Sequence, residues 1–273
     1  MKQILVATDF SKSAANAMAY AMELAVVLEK DVCAIHAIHP TEGINNNTYN
    51  AIFIEDYHNN KRAALEEWVT EFRNNKRYKH VKVTTVCDVG FLKKVISQYI
   101  KTHPVDLLVM GVIGGTGISS IVGSNTSSVV SKIKFPTLIV PLESKFDETP
   151  MITLATDFET RLSAIDVKTL NGMIKAFGSK KMQVLYVNEG DSEHPRRRDE
   201  DRLRDLIKHT KLDFNYIKND SPLDGIIDFV QNDHTDILCL VKHHHNVVYR
   251  LFTRSTVNRV LNRALKAILV LHE

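Results

Sequence analysis

Cysteine is scarce in this chain: Cys33, Cys87 and Cys239 are the three, spread across 273 residues. That excludes a disulfide framework, and the apolar runs around them mark small buried core residues of a reducing compartment. Proline occurs seven times, glycine 11 times and tryptophan once, which excludes collagen-like and low-complexity classes. No apolar run reaches the roughly 18 residues that a membrane-crossing helix needs. No charged-then-apolar leader with a small-residue cleavage site opens the chain either. The expectation is a cytoplasmic protein with no membrane partner. Charge of one sign is also missing. A net charge of +3 and a pI near 8.6, with acids and bases nearly balanced in each half, argue against a nucleic-acid partner. No Ser-His-Asp arrangement, paired-carboxylate spacing or Cys/His metal signature stands out, so no catalytic residue is named.

What the chain does contain is alternation. Short apolar runs, starting with Gln3 to Ala7, alternate with segments whose apolar residues recur at three and four, such as Ala17, Ala21, Leu24 and Leu28. The pattern predicts strands at 3–7, 31–38, 81–86, 106–110 and 137–140, with helices at 14–29, 52–74, 91–102 and 127–133. It then restarts, with strands at 151–155, 182–187, 214–218, 236–241 and 267–271 and helices at 160–177, 199–209, 223–232 and 256–264. Strands alternating with helices imply parallel sheets covered on both faces, an α/β class. The restart is a tandem repeat. Ala-Thr-Asp-Phe stands at Ala7 to Phe10 and again at Ala155 to Phe158. Asp106 to Glu143 aligns without a gap with Asp236 to Glu273, over 38 positions. Loss of apolar character from Glu143 to Pro150 marks the linker, dividing the chain into domains at 1–145 and 150–273.

The first copy carries a glycine-rich loop directly after its fourth strand, MGVIGGTGISSIVGSNTSS. Gly111, Gly114, Gly115, Gly117 and Gly123 are five of the 11 glycines. Glycines there let backbone approach a phosphate and turn its N–H groups inward. Ser124-Asn125-Thr126 then opens a helix, whose N-terminus is a ready anion site. Asp9 lies on the same rim, where open α/β sheets bind ligands, and a carboxylate there suits a ribose, an adenine or a metal beside phosphates.

An apolar strand ending in ATDFS, DLLVMG before the loop, GSNT after it and FPTLIVP at the end together resemble the universal stress protein family, over essentially the whole chain as two tandem copies. The resemblance implies two five-stranded parallel-sheet domains of the adenine nucleotide alpha-hydrolase-like, Rossmann-like type. It implies ATP or AMP as ligand, with Mg2+ as an accompanying ion, and a nucleotide-responsive factor of the stress response. By the same resemblance Asp9 faces the adenosine, flanked by Ala7 and Thr8, and backbone near Ile38 faces the base. Met110, Gly111 and Gly114 line the loop, and Gly123, Ser124, Asn125 and Thr126 hold the phosphates. The two domains pair through edge strands as a pseudo-dimer, with a homodimer of the whole chain and a protein partner beyond that. In the family signature nine residues separate the second and third glycines; here eight separate Gly114 from Gly123. That shortening favours the alternative, an interaction protein whose glycine loop is structural. An enzyme acting on an adenylated substrate is disfavoured, because Phe10-Ser11-Lys12 stands where a Ser-Gly-Gly loop would be.

The second copy has lost the loop chemistry. Gly111, Gly114, Gly115, Gly117 and Gly123 face Val241, His244, His245, Val247 and Thr253. No nucleotide binding is expected there, and Asp157 reads as a relic or a cap. Lys242-His243-His244-His245 invites a metal reading, but adjacent residues of an extended segment point to opposite faces, which leaves His243 and His245 as a weak pair. Arg196-Arg197-Arg198 reads as a solvated helix start. His36 and His39, at the end of the second strand, read as partly buried, with a rim contact open to His39.

Overall fold

The computed structural model describes residues 3–43, 51–112, 124–158, 161–188, 197–242 and 266–272. Its first half runs β1 (Gln3–Ala7), α1 (Lys12–Leu28), β2 (Asp31–Ile38), α2 (Ala51–Arg73), β3 (Val83–Val89), α3 (Leu92–Thr102), β4 (Val105–Val112), α4 (Ser124–Lys132) and β5 (Thr137–Pro141). Its second half runs β6 (Ile152–Ala155), α5 (Ala164–Phe177), β7 (Lys181–Asn188), α6 (Arg197–Leu206), β8 (Lys211–Lys218), α7 (Pro222–Asn232), β9 (Ile237–Lys242) and β10 (Ala267–His272). The helix expected at 256–264 lies outside the described residues.

The ten strands form one sheet in the order β3-β2-β1-β4-β5-β10-β9-β6-β7-β8. Each half contributes the same parallel order, third-second-first-fourth-fifth, and the halves meet where β5 and β10 pair antiparallel. The seam matches Ile139 with Ile268 and Leu138 with Leu269. In the ungapped alignment Leu138 corresponds to Ile268 and Ile139 to Leu269, so exchanging the halves maps this register onto itself. A two-fold homodimer interface has that property; here it is written within one chain.

Both faces of the sheet are covered, which is why its inner strands read as unbroken apolar runs. Ile4 and Val6 of β1 meet α1 and α2 on one face, in a core that continues over α5 and α6 of the second half. Leu5 and Ala7 meet α3 and α4 on the other face, and α7 covers the second half there. The segment between the halves is pinned to α1. Asn16 Nδ2 donates to the carbonyls of Pro141 (2.9 Å) and Ser144 (3.1 Å). Phe146 lies between Tyr20 (5.2 Å) and Phe177 of α5 (6.0 Å), ring centre to ring centre.

Several expectations shift: α4 opens already at Ser124 and β8 at Lys211, and three further differences have a visible cause. Strand β3 begins at Val83 and runs on to Val89, because Lys76–Tyr78 forms a 3-10 turn and Val81 N–H bonds back to Tyr78. Helix α5 starts at Ala164 rather than Thr160, because Ser163 caps it, its Oγ accepting from Asp166 N–H. Cys33 and Cys239 are buried as expected, but Cys87 is only half buried, since β3 is an edge strand.

Candidate functional site

In each half the chain leaves the first strand toward the second and the fourth strand toward the fifth, so their carboxyl ends part and open a crevice. In the first half this crevice lies between β1 and β4, which pair Ala7 with Met110. Both residues are buried and form its floor.

Thr8-Asp9-Phe10-Ser11 builds the lip. Thr8 N–H extends the sheet ladder to the Ile35 carbonyl (3.0 Å). Its Oγ1 accepts from Phe10 N–H (3.0 Å), and Asp9 Oδ1 accepts from Ser11 N–H (3.0 Å). These two side-chain bonds hold Phe10 at φ 65°, a left-handed conformation that a bulky residue adopts only when its surroundings impose it. The Phe10 ring packs 4.6 Å from His36 and 6.1 Å from Trp68. Ser11 then caps α1 by accepting from Ala14 N–H (3.2 Å). The Asp9 carboxylate remains exposed at the mouth of the crevice.

His36 was not singled out for this site from the sequence. It is buried, and its Nδ1–H donates to the Thr8 carbonyl (2.8 Å), tying the lip to β2. That bond fixes the tautomer and leaves Nε2 buried without a partner. His39, by contrast, is exposed, with Nδ1 on Thr41 Oγ1 at 2.8 Å. Ile38 is fully buried and its carbonyl accepts from Gly90 N–H (2.8 Å).

Gly111 has a packing duty of its own. A Cβ at this position would stand 2.2 Å from the Ser13 carbonyl oxygen, so only glycine lets the start of α1 lie this close to β4. Ser124 and Asn125 open α4, with Thr126 buried in its first turn. The aligned N–H groups of that turn face the carboxyl end of the sheet, where an anion is favoured. Gly114 and Gly123 lie outside the described residues, as do His243 and His245. Among the described residues no group of three or more His, Cys, Asp and Glu side chains is placed to hold a metal ion.

The second half repeats the lip and closes what lies behind it. Thr156 Oγ1 accepts from Phe158 N–H (3.0 Å), Thr156 N–H donates to Leu185 (3.0 Å), and Phe158 sits at φ 59°. Four more residues than in the first half then separate this phenylalanine from the capping serine, Ser163 in place of Ser11. Helix α5 therefore docks on the end of β10: Ser163 N–H donates to the His272 carbonyl (3.0 Å), and Asp166 Oδ2 accepts from His272 N–H (3.1 Å). With the helix start moved, Val241 fits where Gly111 was obligatory, and it is buried in the core. Arg202 of α6 donates to the Phe158 carbonyl, and the Phe158 ring is buried near Tyr186 and Phe214.

Asp166 is a fully buried carboxylate whose Oδ1 has no partner. Burial pushes it up to about 6, against the opposing pull of the Ser163 and His272 hydrogen bonds. Burial also raises the Cys87 thiol, which disfavours the reactive thiolate.

Comparison with known proteins agrees with this architecture. Residues 1–141 match the model of the universal stress protein family. The universal stress protein MJ0577 of Methanocaldococcus jannaschii is 26% identical over 152 residues, 51% of this chain and 94% of its own length. Among solved structures, a universal stress protein from Archaeoglobus fulgidus superposes with a TM-score of 0.75 at 14% identity, covering 98% of this chain and 97% of that one. A protein of Pseudomonas aeruginosa described as functionally unknown, PA1789, superposes at 0.58 with 12% identity, over 100% of this chain and 92% of its own.

Proposed function

Because the chain belongs to the universal stress protein family, we propose that its first half binds an adenine nucleotide, ATP or AMP, in the crevice between β1 and β4, and that the second half does not. The domain of residues 1–145 is then the competent one and that of residues 150–273 the degenerate one, in a cytoplasmic, nucleotide-responsive regulatory or interaction factor. The observation carrying this reading is the convergence of three features at one switch point: the exposed Asp9 carboxylate, the end of β4 at Gly111, and the start of α4 at Ser124.

The roles follow from that placement. Ala7 and Met110 form the floor, Thr8 shapes the lip beside the ligand, and Asp9 hydrogen-bonds the ribose or adenine. Ser124, Asn125 and Thr126 offer the first N–H groups of α4 to phosphate, and Gly114 and Gly123 allow the loop to approach it. The base lies toward the end of β2 near Ile38. If Mg2+ accompanies the phosphates, Asp9 is the carboxylate available to it; such an ion neutralises phosphate charge. Among the described residues the crevice presents no general base beyond Asp9, so the reading is of binding, with hydrolysis slow at most. A whole-chain homodimer is compatible with it and is not required.

One observation favours the second reading, an interaction protein with a structural glycine loop: Gly111 is already demanded by the packing of α1. The two readings separate in one experiment. Purified protein is denatured and its released small molecules analysed, and unfolding is then followed with Mg-ATP or Mg-AMP. Nucleotide at 100 times its dissociation constant stabilises by about 2.7 kcal/mol. That gain is expected for the native chain and for Asp157→Ala, and is reduced in Asp9→Ala. No released nucleotide and no stabilisation would leave the second reading in its place.

A further inference from the structure

We propose that the edge strand β3 and the groove beside α3 take up an extended acidic and apolar segment of another protein as an eleventh strand of the sheet. The proposal is independent of nucleotide binding.

Charge points there first. Residues 75–104, which span β3 and α3, carry seven Lys/Arg and one acid, Asp88. The remainder of the chain carries 28 Lys/Arg against 31 Asp/Glu, so the whole positive excess sits on one edge. Arg77 is paired with Glu23 (2.7 Å) and Glu148 (2.6 Å). Lys76, Lys79, Lys82, Lys93, Lys94 and Lys101 are all exposed, and no ion pair forms on any of them among the described residues. The equivalent stretch at the opposite edge, 205–234, carries three lysines and six aspartates. The basic edge is therefore a property of this edge rather than of the fold.

Backbone geometry supplies the second argument. Val32 N–H bonds to the Lys82 carbonyl and Gly90 N–H to the Ile38 carbonyl, so the even-numbered residues of β3 face β2. Val83, Thr85, Cys87 and Val89 consequently present their N–H and C=O groups outward. The Val83 carbonyl is already taken by Arg73, through Nε (3.2 Å) and Nη2 (3.0 Å). That guanidinium blunts the start of the edge, as proteins commonly do. From Thr85 to Val89 the outward groups meet no element of the described chain.

Side-chain space is the third. Helix α2 covers one face of β3, whereas α3 packs on β2 and α4, leaving the other face of β3 open. There a cavity of about 510 Å³ lies among Pro40, Asp88, Phe91, Lys94, Gln98 and Tyr99. Val89 and Phe91, exposed to 46% and 60%, also line it. An added strand would hydrogen-bond to Thr85, Cys87 and Val89, place alternate apolar side chains in this cavity, and set its acids among the lysines. Nucleic acid would use the charge but neither the backbone groups nor the space beside Val89, Phe91 and Val95.

The test uses the full chain and three fluorescent probes: the alternating peptide EVEFEVE, heptaglutamate and a heptathymidylate oligonucleotide. Anisotropy should show EVEFEVE binding at least about tenfold tighter than either control, with the difference weakening as salt rises. Hydrogen exchange should show the Thr85, Cys87 and Val89 amides protected by EVEFEVE. Lys94→Glu combined with Lys101→Glu, both exposed, should weaken binding about tenfold or more. Cys87→Pro removes an outward N–H without touching the ladder to β2, and should weaken binding to a similar degree. No binding of EVEFEVE, equal binding of either control, or binding that leaves those amides unprotected would each overturn the proposal.

Discussion

The two Ala-Thr-Asp-Phe turns are nearly superimposable in their bonding and opposite in what they open onto. In both, a threonine Oγ1 holds the phenylalanine N–H at 3.0 Å and the phenylalanine is left-handed. After the first turn α1 begins at once, pressed against Gly111, and a crevice with an exposed aspartate remains. After the second, four extra residues carry α5 onto β10, Val241 fills in, and Arg202 takes the turn carbonyl. The repeated tetrapeptide is thus a folding device. Binding chemistry is decided by where the next helix starts.

Exchanging the residues at the ends of β4 and β9 should separate the two halves most strongly. Gly111→Val puts a side chain 2.2 Å from the Ser13 carbonyl, and backbone on both sides must move. A loss of about 3 kcal/mol or more is expected in urea unfolding. Val241→Gly clashes with nothing. It removes a buried valine and adds backbone freedom, costing about 2–3 kcal/mol, and creates no nucleotide site. Equal tolerance of both substitutions would contradict the account of why the glycine was lost.

Asp166 has no acidic counterpart in α1, where Ala14 stands at the same distance from the capping serine. Its folded-state value of about 6, against an ordinary 3.8, means that the native state holds the proton more tightly than the unfolded chain. Stability from this group is therefore present below about pH 4 and lost as pH rises through 6, by up to about 3 kcal/mol. Asp166→Asn removes the penalty. It should be close to neutral at pH 4 and stabilising at pH 7.5, read as the difference in urea midpoint between the two pH values. A destabilised Asn variant at pH 7.5 would mean that the buried carboxylate is stabilised by its hydrogen bonds and its folded-state value is not raised.

The repeat and the covered faces were legible in the sequence pattern, whereas the strand order was not: runs such as Ile4 to Ala7 are unbroken only where a strand is buried on both sides. The lip was legible as a motif, but its job was not. Thr8 holds the Phe10 N–H two residues away, but the anchoring of the turn by His36 depends on a neighbour 28 residues away in sequence. The reason for Gly111 was hidden for the same cause, since a close approach between β4 and α1 leaves no periodic trace. A local signal did exist for the displaced α5: the serine that caps it stands four residues further from the phenylalanine than Ser11 does. Thr160, another favoured capping residue that comes earlier in the chain, masked it.

The smallest expected effect concerns what the two turns share. Thr8→Val and Thr156→Val keep side-chain shape and delete the oxygen that accepts from the phenylalanine N–H. Each leaves a backbone donor without its partner, which costs about 1–3 kcal/mol when the group is shut off from water and less when water reaches it. Thr8 is buried and Thr156 half buried, so Thr8→Val should cost about 1–2 kcal/mol and Thr156→Val about 1 kcal/mol or less. Trp68, 6.1 Å from the Phe10 ring and the chain's single tryptophan, reports on the first turn alone. Its emission should change in Thr8→Val and stay as in the native protein in Thr156→Val. If both variants shift it equally, the turns are coupled through the sheet and are not the two independent copies described here.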